Sequence, residues 1–217
     1  MDFELKLFLE TLPALAKGAV VSAKLAAIAG VLGLVIGTFG GLARISTNPV
    51  IKGLAAGYVL FIRGVPLLMT MLFLYYGLPA LGVTVDAIVV AVAALSITSG
   101  AYTTEIVRAG IQSIDRGQLR AARSLGMSYP LAMRRIVLPQ AMRRVVPPLT
   151  NEAITLLKNT ALVSVIAISD LLRVGVETMV WTANTFSPFV GVAIFYLLLT
   201  VPLIGLNTYV EKRFRVT

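Results

Sequence analysis

The sequence predicts an all-α integral membrane protein with five transmembrane helices. Three observations carry that expectation. Of the 217 residues, 58% are apolar and only 13% charged, whereas a soluble domain carries about 25% charged residues. Five apolar stretches are each long enough for a hydrocarbon core of about 30 Å, which needs about 20 helical residues. One long central stretch, Arg108 to Arg144, cannot sit in a bilayer. It holds eight arginines: Arg108, Arg116, Arg120, Arg123, Arg134, Arg135, Arg143 and Arg144.

Taken in order, residues 1–18 set Phe3, Leu5, Leu7, Phe8, Leu9, Leu12 and Leu15 among Asp, Glu and Lys. That pattern predicts an interfacial helix. Asp2, Glu4 and Glu10 stand where a cleavable signal peptide would have a basic n-region, so none is expected. Ala19 to Leu42 is the first span. Its Gly30, Gly33, Gly37, Gly40 and Gly41 suit close packing against another helix, since small residues let backbones approach in lipid. Arg44, Asn48, Pro49 and Lys52 mark the loop after it.

The second span, Leu54 to Leu78, is interrupted by Arg63-Gly64-Val65-Pro66, where a kink or unwound stretch is expected because Pro66 has no N–H. The third span runs from Ala87 to Val107. Two short helices come next in the basic stretch: one around Leu119 to Leu125 closed by Gly126, one after Ser128 as N-cap with Pro130 in its first turn. Pro139 is expected to interrupt the helical stretch beyond it. Pro147-Pro148 should open the fourth span, Leu149 to Ile168, and Asp170 to Ser187 forms a second polar connection. Phe189 to Val210 is the fifth span. The whole of 1–217 reads as one transmembrane domain, with spans 1–3 in 19–107, a cytoplasmic loop over 108–144 and spans 4–5 in 149–210.

Five spans place the termini on opposite sides, and basic residues decide which is which. Arg44, Lys52, the eight central arginines, Lys212, Arg213 and Arg215 gather at one set of ends; Lys6, Lys17 and Arg173 lie at the other. Positive charge stays inside. The N-terminus is therefore expected outside, and the C-terminus and basic loop in the cytoplasm. The +9 formal charge accordingly reports topology, not affinity for nucleic acid.

Cysteine and histidine are both absent, which excludes disulfides, thiolate or imidazole metal sites, and Cys or His catalysis. No G-x-x-x-x-G-K-[ST] loop occurs, so the chain is not expected to hydrolyse ATP by the P-loop route.

The central loop resembles the cytoplasmic signature of permease subunits in bacterial ATP-binding-cassette importers: E-A-A, three residues, G, nine residues, I, one residue, L-P. Here Ala121-Ala122, Gly126, Ile136 and Leu138-Pro139 keep that spacing. Arg120 stands where the family usually has Glu, so a contact between that Glu and a basic group on the ATPase would be altered here. The similarity extends from about Ala19 to Arg213 and is closest to the importers of polar amino acids, such as the histidine, arginine and glutamine permeases. Arg63-Gly64-Val65-Pro66 resembles their R-G-T-P. Gly100-Ala101-Tyr102-Thr103-Thr104-Glu105-Ile106-Val107-Arg108 resembles G-A-Y-x-x-E-I-x-R. Gly117-Gln118, Leu138-Pro139-Gln140-Ala141, Pro147-Pro148-Leu149-Thr150-Asn151-Glu152 and Leu157-Lys158-Asn159-Thr160-Ala161-Leu162 also match. Lys158-Asn159-Thr160 replaces the usual K-D-T, so one carboxylate is missing.

The resemblance implies a multi-pass protein of the bacterial cytoplasmic membrane that is not itself an enzyme. It implies two copies of a separate ABC ATPase that hydrolyse ATP with Mg, a second permease subunit (an identical copy or a paralogue), and an extracytoplasmic amino-acid-binding protein. Membrane lipid surrounds the chain, which carries no cofactor of its own. Arg120, Ala121, Ala122, Leu125, Gly126, Met133, Ile136, Leu138 and Pro139 fall at the coupling positions, with Leu119, Ala122, Leu125 and Met133 expected as apolar anchors on the ATPase.

The substrate path is sought where polar groups enter the membrane, because ionisable groups there are costly and usually functional. Glu152, Thr155 and Asn159 share one helical face, with Thr160 and Ser164 on an adjacent strip. Glu152 either holds a cationic substrate or pairs with Arg63, Arg144 or Lys158. Ser99, Tyr102 and Glu105 form another face, and Glu105 with Arg108 reads as a structural pair. Leu67, Leu68 and Met69 beyond Pro66 either gate the path or simply pack. Basic amino acids are the first expectation for substrate, with glutamine or another polar amino acid as the alternative. Two readings from other classes are a gradient-driven carrier using Glu152 or Glu105 for proton coupling, and a membrane anchor that transports nothing.

Overall fold

The computed structural model describes residues 3–214, which are helical or connecting with no strand among them. Asp2 and Arg215, both invoked above, lie outside the described residues. Helix α1, Leu5–Arg44, has 40 residues, or about 60 Å at 1.5 Å per residue. The expected interfacial helix and first span are therefore one unbroken rod that carries Pro13 within it. Asn48 caps α2, Pro49–Gly64: its side chain accepts from the N–H groups of Val50 and Ile51 at 2.9 and 3.3 Å, and Pro49 takes the first helical position, where no N–H is needed.

The second span breaks sharply. Val65 is extended, at φ −106° and ψ 130°, as a residue before proline prefers. Helix α3, Leu67–Leu72, continues through a π-helical turn at Phe73–Gly77 into α4, Leu78–Ala80. This second half is bent by 99° from α2. Asp86 then caps α5, Ala87–Gln112, by accepting from the N–H of Ile88 at 2.8 Å.

The basic stretch forms α6, Arg116–Ser124, and α7, Tyr129–Ala132. From Tyr129 the chain stays helical through a π-helical turn, Met133–Val137, into α8, Leu138–Asn159. Two expectations are corrected here. Pro139 does not interrupt the helix, and Pro147-Pro148 does not begin one; all three lie inside α8 or its first turn. A π turn spreads the backbone just ahead of Pro139, where an α turn would clash with its ring. Past Pro147, the Thr150 hydroxyl donates to the Pro147 carbonyl at 2.8 Å. The stretch expected as the fourth span is likewise not all α-helix: Thr160–Ile166 is a 3₁₀ helix, ended by Ala167 in the left-handed region at φ 60°. Asp170 caps α9, Leu171–Thr182, through the N–H groups of Leu172 and Arg173. Helix α10, Phe186–Phe214, completes the fold.

Helix α5 is the centre, with α1, α2, α3 and α8 all packed on it. Its contact with α1 is the most extensive in the molecule. The buried row on α1, from Leu15 and Ala19 through Ala29 to Gly33, Gly37 and Gly41, recurs every three or four residues and so makes one stripe. A Cβ on Gly37 would strike Thr103, one on Gly33 would meet Ser99 at 3.1 Å, and one on Gly41 would press on Val107. The backbones therefore touch along matching rows of small residues.

Many large apolar side chains point away from the bundle, including Leu60 (78% exposed), Leu54 (71%) and Phe39 (70%). Such a surface calls for lipid or protein cover. By length and composition α1, α5 and α10 each suffice to cross a membrane, and the bent α2–α4 pair makes a fourth when counted as one span. Helix α8 is more polar, holding Arg143, Arg144, Glu152 and Lys158.

Gly18 tests the α1–α9 junction, because a Cβ there would lie 2.9 Å from the Asp170 carbonyl oxygen and from Leu171 Cα. Backbone atoms cannot rotate away. Gly18→Ala should lower stability by about 2 kcal/mol in thermal unfolding of the detergent-purified chain. Gly53→Ala, with nothing within 4 Å, should leave it unchanged or raise it by up to about 1 kcal/mol. Equal melting of the two variants would mean that α1 and α9 do not touch there.

Candidate functional site

Two features gather most of the candidate residues: the loop built on α6, and a pair of cavities along α5 and α8, each with a few polar side chains on a mostly apolar wall. In the loop, the Ala122 to Gly126 spacing has a direct structural cause. The N–H of Met127 bonds the Ala122 carbonyl at 3.2 Å and the N–H of Gly126 bonds the Arg123 carbonyl at 3.0 Å. This is a Schellman cap, in which the residue after the helix is left-handed; Gly126 has φ +83°. Ala122 is only 4% exposed. It anchors the loop within its own chain rather than facing outward.

A small apolar core of Ile114, Val137 and Ala141 holds the loop to α8, with Leu119 and Met133 packed against it. Two expected anchors, Leu119 and Met133, are thus largely used internally. Ile136 and Leu138 are half-buried, while Arg120, Ala121 and Pro139 are exposed. Leu125 is 80% exposed, an unusual position for a leucine on an otherwise basic surface.

On α8, Glu152 faces a cavity of 230 Å³ together with Ser99, Thr103 and Thr150, closed by Gly30, Leu149 and Leu156. Among the described residues no cation pairs with Glu152: Arg63, Arg144 and Lys158 all lie elsewhere. Thr155 is exposed and donates to the Asn151 carbonyl at 3.2 Å, and Asn159 is half-buried at the end of the helix. Thr160 and Ser164 turn inward on their own backbone, donating to the carbonyls of Leu157 and Ala161 at 2.7 and 2.8 Å. Leu67 packs on the main apolar core beside Met71 and Leu95.

Tyr102 belongs to a different cavity, of 460 Å³, lined also by Arg63, Glu105, Gly110 and Arg144. The Arg63 guanidinium lies 4.9 Å from the Tyr102 ring centroid, a cation–π distance. Glu105 bridges two helices. It accepts from Arg108 at 2.7 and 2.9 Å and from Arg44 of α1 at 3.1 Å. The i,i+3 pair was legible in the sequence; the Arg44 contact, 61 positions away, was not.

Sequence reasoning also missed the buried junction around Asp170, which is fully enclosed. Ser22 of α1 accepts from the N–H of Leu171 at 3.2 Å. Burial pushes the Asp170 carboxyl up to about 6, against the lowering effect of the Arg173 and Leu172 N–H groups. An aspartate directly before the apolar run that opens α9 was a readable N-cap signal, although its burial was not.

The family model for binding-protein-dependent transport system inner membrane components matches residues 29–216. The chain belongs to that family. It is 41% identical over 192 residues to the probable glutamine ABC transporter permease protein GlnM of Bacillus subtilis, covering 88% of each chain. It is 34% identical over 216 residues to the arginine transport system permease protein ArtQ of the same organism, covering 99% of each. A crystal structure of an amino acid ABC transporter with histidines superposes with a TM-score of 0.93 at 38% identity, covering 98% of this chain and 100% of that one. A methionine ABC transporter in an inward-facing conformation shares the fold at a TM-score of 0.76 and 16% identity, covering 93% of this chain and 96% of that one. The chain is thus a membrane-embedded, multi-pass and non-catalytic permease subunit, of the kind that works with a separate ATPase and a substrate-binding protein.

Glu105 should matter for the bundle. Glu105→Gln leaves Arg44 and Arg108 without a counter-charge and should cost about 2 kcal/mol in thermal unfolding. Arg44→Ala, which leaves the Arg108 pair intact, should cost less. Equal losses would mean that Arg44 carries the whole effect.

Proposed function

We propose that this permease subunit imports polar amino acids, and basic ones first, by alternating access driven by its partner ATPase. One observation carries the substrate class: Glu152 lies in the fourth proposed span, in a small, mostly apolar cavity with no cation beside it among the described residues. An unpaired intramembrane carboxylate is costly unless a ligand meets it, and a guanidinium or ammonium side chain is that ligand. Ser99, Thr155 and Asn159 supply hydroxyl and amide groups near the path, with Thr160, Ser164, Tyr102 and Leu67 shaping its margins. The amino-acid class is supported by the arginine and glutamine permeases among the relatives. The glutamine names among them favour a second reading, import of glutamine.

The proposed topology has five spans: α1, the broken α2–α4 pair, α5, α8 with its 3₁₀ extension, and α10. The N-terminus is outside, and the basic loop and C-terminus are in the cytoplasm, a placement supported by the arginine distribution. Two ATPase copies, hydrolysing ATP with Mg, dock on a dimer of permease subunits, identical or paralogous. An extracytoplasmic binding protein delivers the amino acid.

On the loop, Leu125 with Arg120, Ala121 and Pro139 faces the ATPase. Ala122, Gly126, Met133, Ile136 and Leu138 shape the loop and tie it to α8. Since α8 also carries Glu152 and is tied to the loop by the Ile114, Val137 and Ala141 core, closure of the ATPase pair on ATP is passed from α6 through that core to the helix that bears that carboxylate.

In proteoliposomes holding the whole importer and its binding protein, Glu152→Gln should cut arginine or lysine uptake about tenfold or more. ATP hydrolysis stimulated by the binding protein should persist. Unchanged uptake of basic amino acids would overturn the basic reading; loss of glutamine uptake instead would establish the second. Leu125→Asp should lower copurification of the ATPase about tenfold without changing the melting temperature of the chain. Full copurification would place the docking anchor elsewhere.

A further inference from the structure

The 460 Å³ cavity between α5, α8 and the end of α2 is more basic than passage of a cationic substrate needs. Among the described residues Glu105 is the one carboxylate on its wall, and it is already engaged by Arg44 and Arg108. Arg63 and Arg144 remain. Among the described residues neither has an ion-pair partner, yet each is held in place. Arg63 lies over the Tyr102 ring, and Arg144 donates to the Ser113 carbonyl at 2.6 Å. Each of these contacts occupies only part of a guanidinium that has five N–H donors. Two oriented guanidinium groups with free donors are suited to bidentate capture of a tetrahedral oxyanion. The floor between them is apolar: Ile106, Ala109 and Pro148. A freely soluble anion gains nothing from such a floor, whereas a phosphate carrying a glycerol and acyl chains does.

We propose that this cavity binds the phosphate of an anionic phospholipid, with Arg63 and Arg144 as the two arms of the site. The cavity ends at Ser113, where α5 runs into the basic loop, and basic pockets between helices at the cytoplasmic face of a membrane protein attract such headgroups. Placement in the inner leaflet rests on the topology proposed above; binding itself does not. A lipid seated there touches α2 just before its 99° break, α5, and the arginine-bearing half of α8. It therefore bears on the elements whose relative movement opens the path.

The test is native mass spectrometry of the full chain in neutral maltoside detergent, titrated with dioleoyl phosphatidylglycerol, dioleoyl phosphatidylcholine or inorganic phosphate. Phosphatidylglycerol should bind about tenfold or more tightly than phosphatidylcholine, and the paired variant Arg63→Gln, Arg144→Gln should lose that preference. Arg116→Gln with Arg123→Gln, on the exposed face of α6, should retain it. The pair Arg63→Lys, Arg144→Lys keeps the charge but not the fork, and should bind several-fold more weakly with the preference intact. It decides the question if the Gln pair does not fold, since undiminished binding there overturns the site. Loss of the preference in the Arg116, Arg123 variant would place the lipid on the loop. Displacement by excess inorganic phosphate would show a site for free oxyanions rather than lipid. Either result overturns the proposal.

Discussion

The approach of α1 to α5 is the constraint on which the rest of the molecule depends. Helices in lipid gain little from hiding apolar side chains from one another, so close van der Waals packing must hold them. Gly37 and Gly41 meet Thr103 and Val107 with no room for a Cβ, and Gly33 meets Ser99 almost as closely. That register sets two further features. It brings Arg44 to Glu105, and it places Gly30 of α1 in the wall of the Glu152 cavity beside Ser99. A wider spacing would open the cavity and part the ion pair together.

The two carboxylates on α5 and α8 show how differently one residue type is used. Glu105 meets two arginines and ties α1 to α5, a structural role that satisfies its charge. Glu152 lines a cavity with Ser99 and, among the described residues, has no cation beside it. The difference lies in the surroundings, since the first carboxylate has two guanidinium partners and the second, half-buried, has none among the described residues; the proposed substrate role rests on that difference.

The loop adds a mechanical element to this chemistry. Its signature divides into residues that shape it and residues that face outward. Ala122 and Gly126 close α6 by a Schellman cap, and Ile136 and Leu138 lie against the bundle, while Leu125 stands clear. From Tyr129 onward the backbone stays helical to Asn159, with a π turn absorbing the proline at 139. Helix α6 is a separate piece, and the Ile114, Val137 and Ala141 core couples it to the long helix that carries Glu152.

The sequence alone determined the membrane class, the family, the break at Arg63–Pro66 and the division between apolar helices and the basic loop. These come from local composition and spacing: a bilayer demands apolar length, Pro66 removes a donor, and a Schellman cap demands glycine four residues past its alanine. It misread Pro139 as a break and Pro147-Pro148 as a helix start, because proline's local penalty is legible but the π turn ahead of Pro139 and the packing that keeps α8 helical through Pro147-Pro148 are not. Only the tertiary structure decided which polar residues meet. It joined Ser99 to Glu152, separated Tyr102 from them, turned Thr160 and Ser164 onto their own backbone, and left Arg63 and Arg144 facing one cavity. Those outcomes depend on how α1, α5 and α8 pack, and contacts between residues dozens of positions apart leave no mark in a helical repeat.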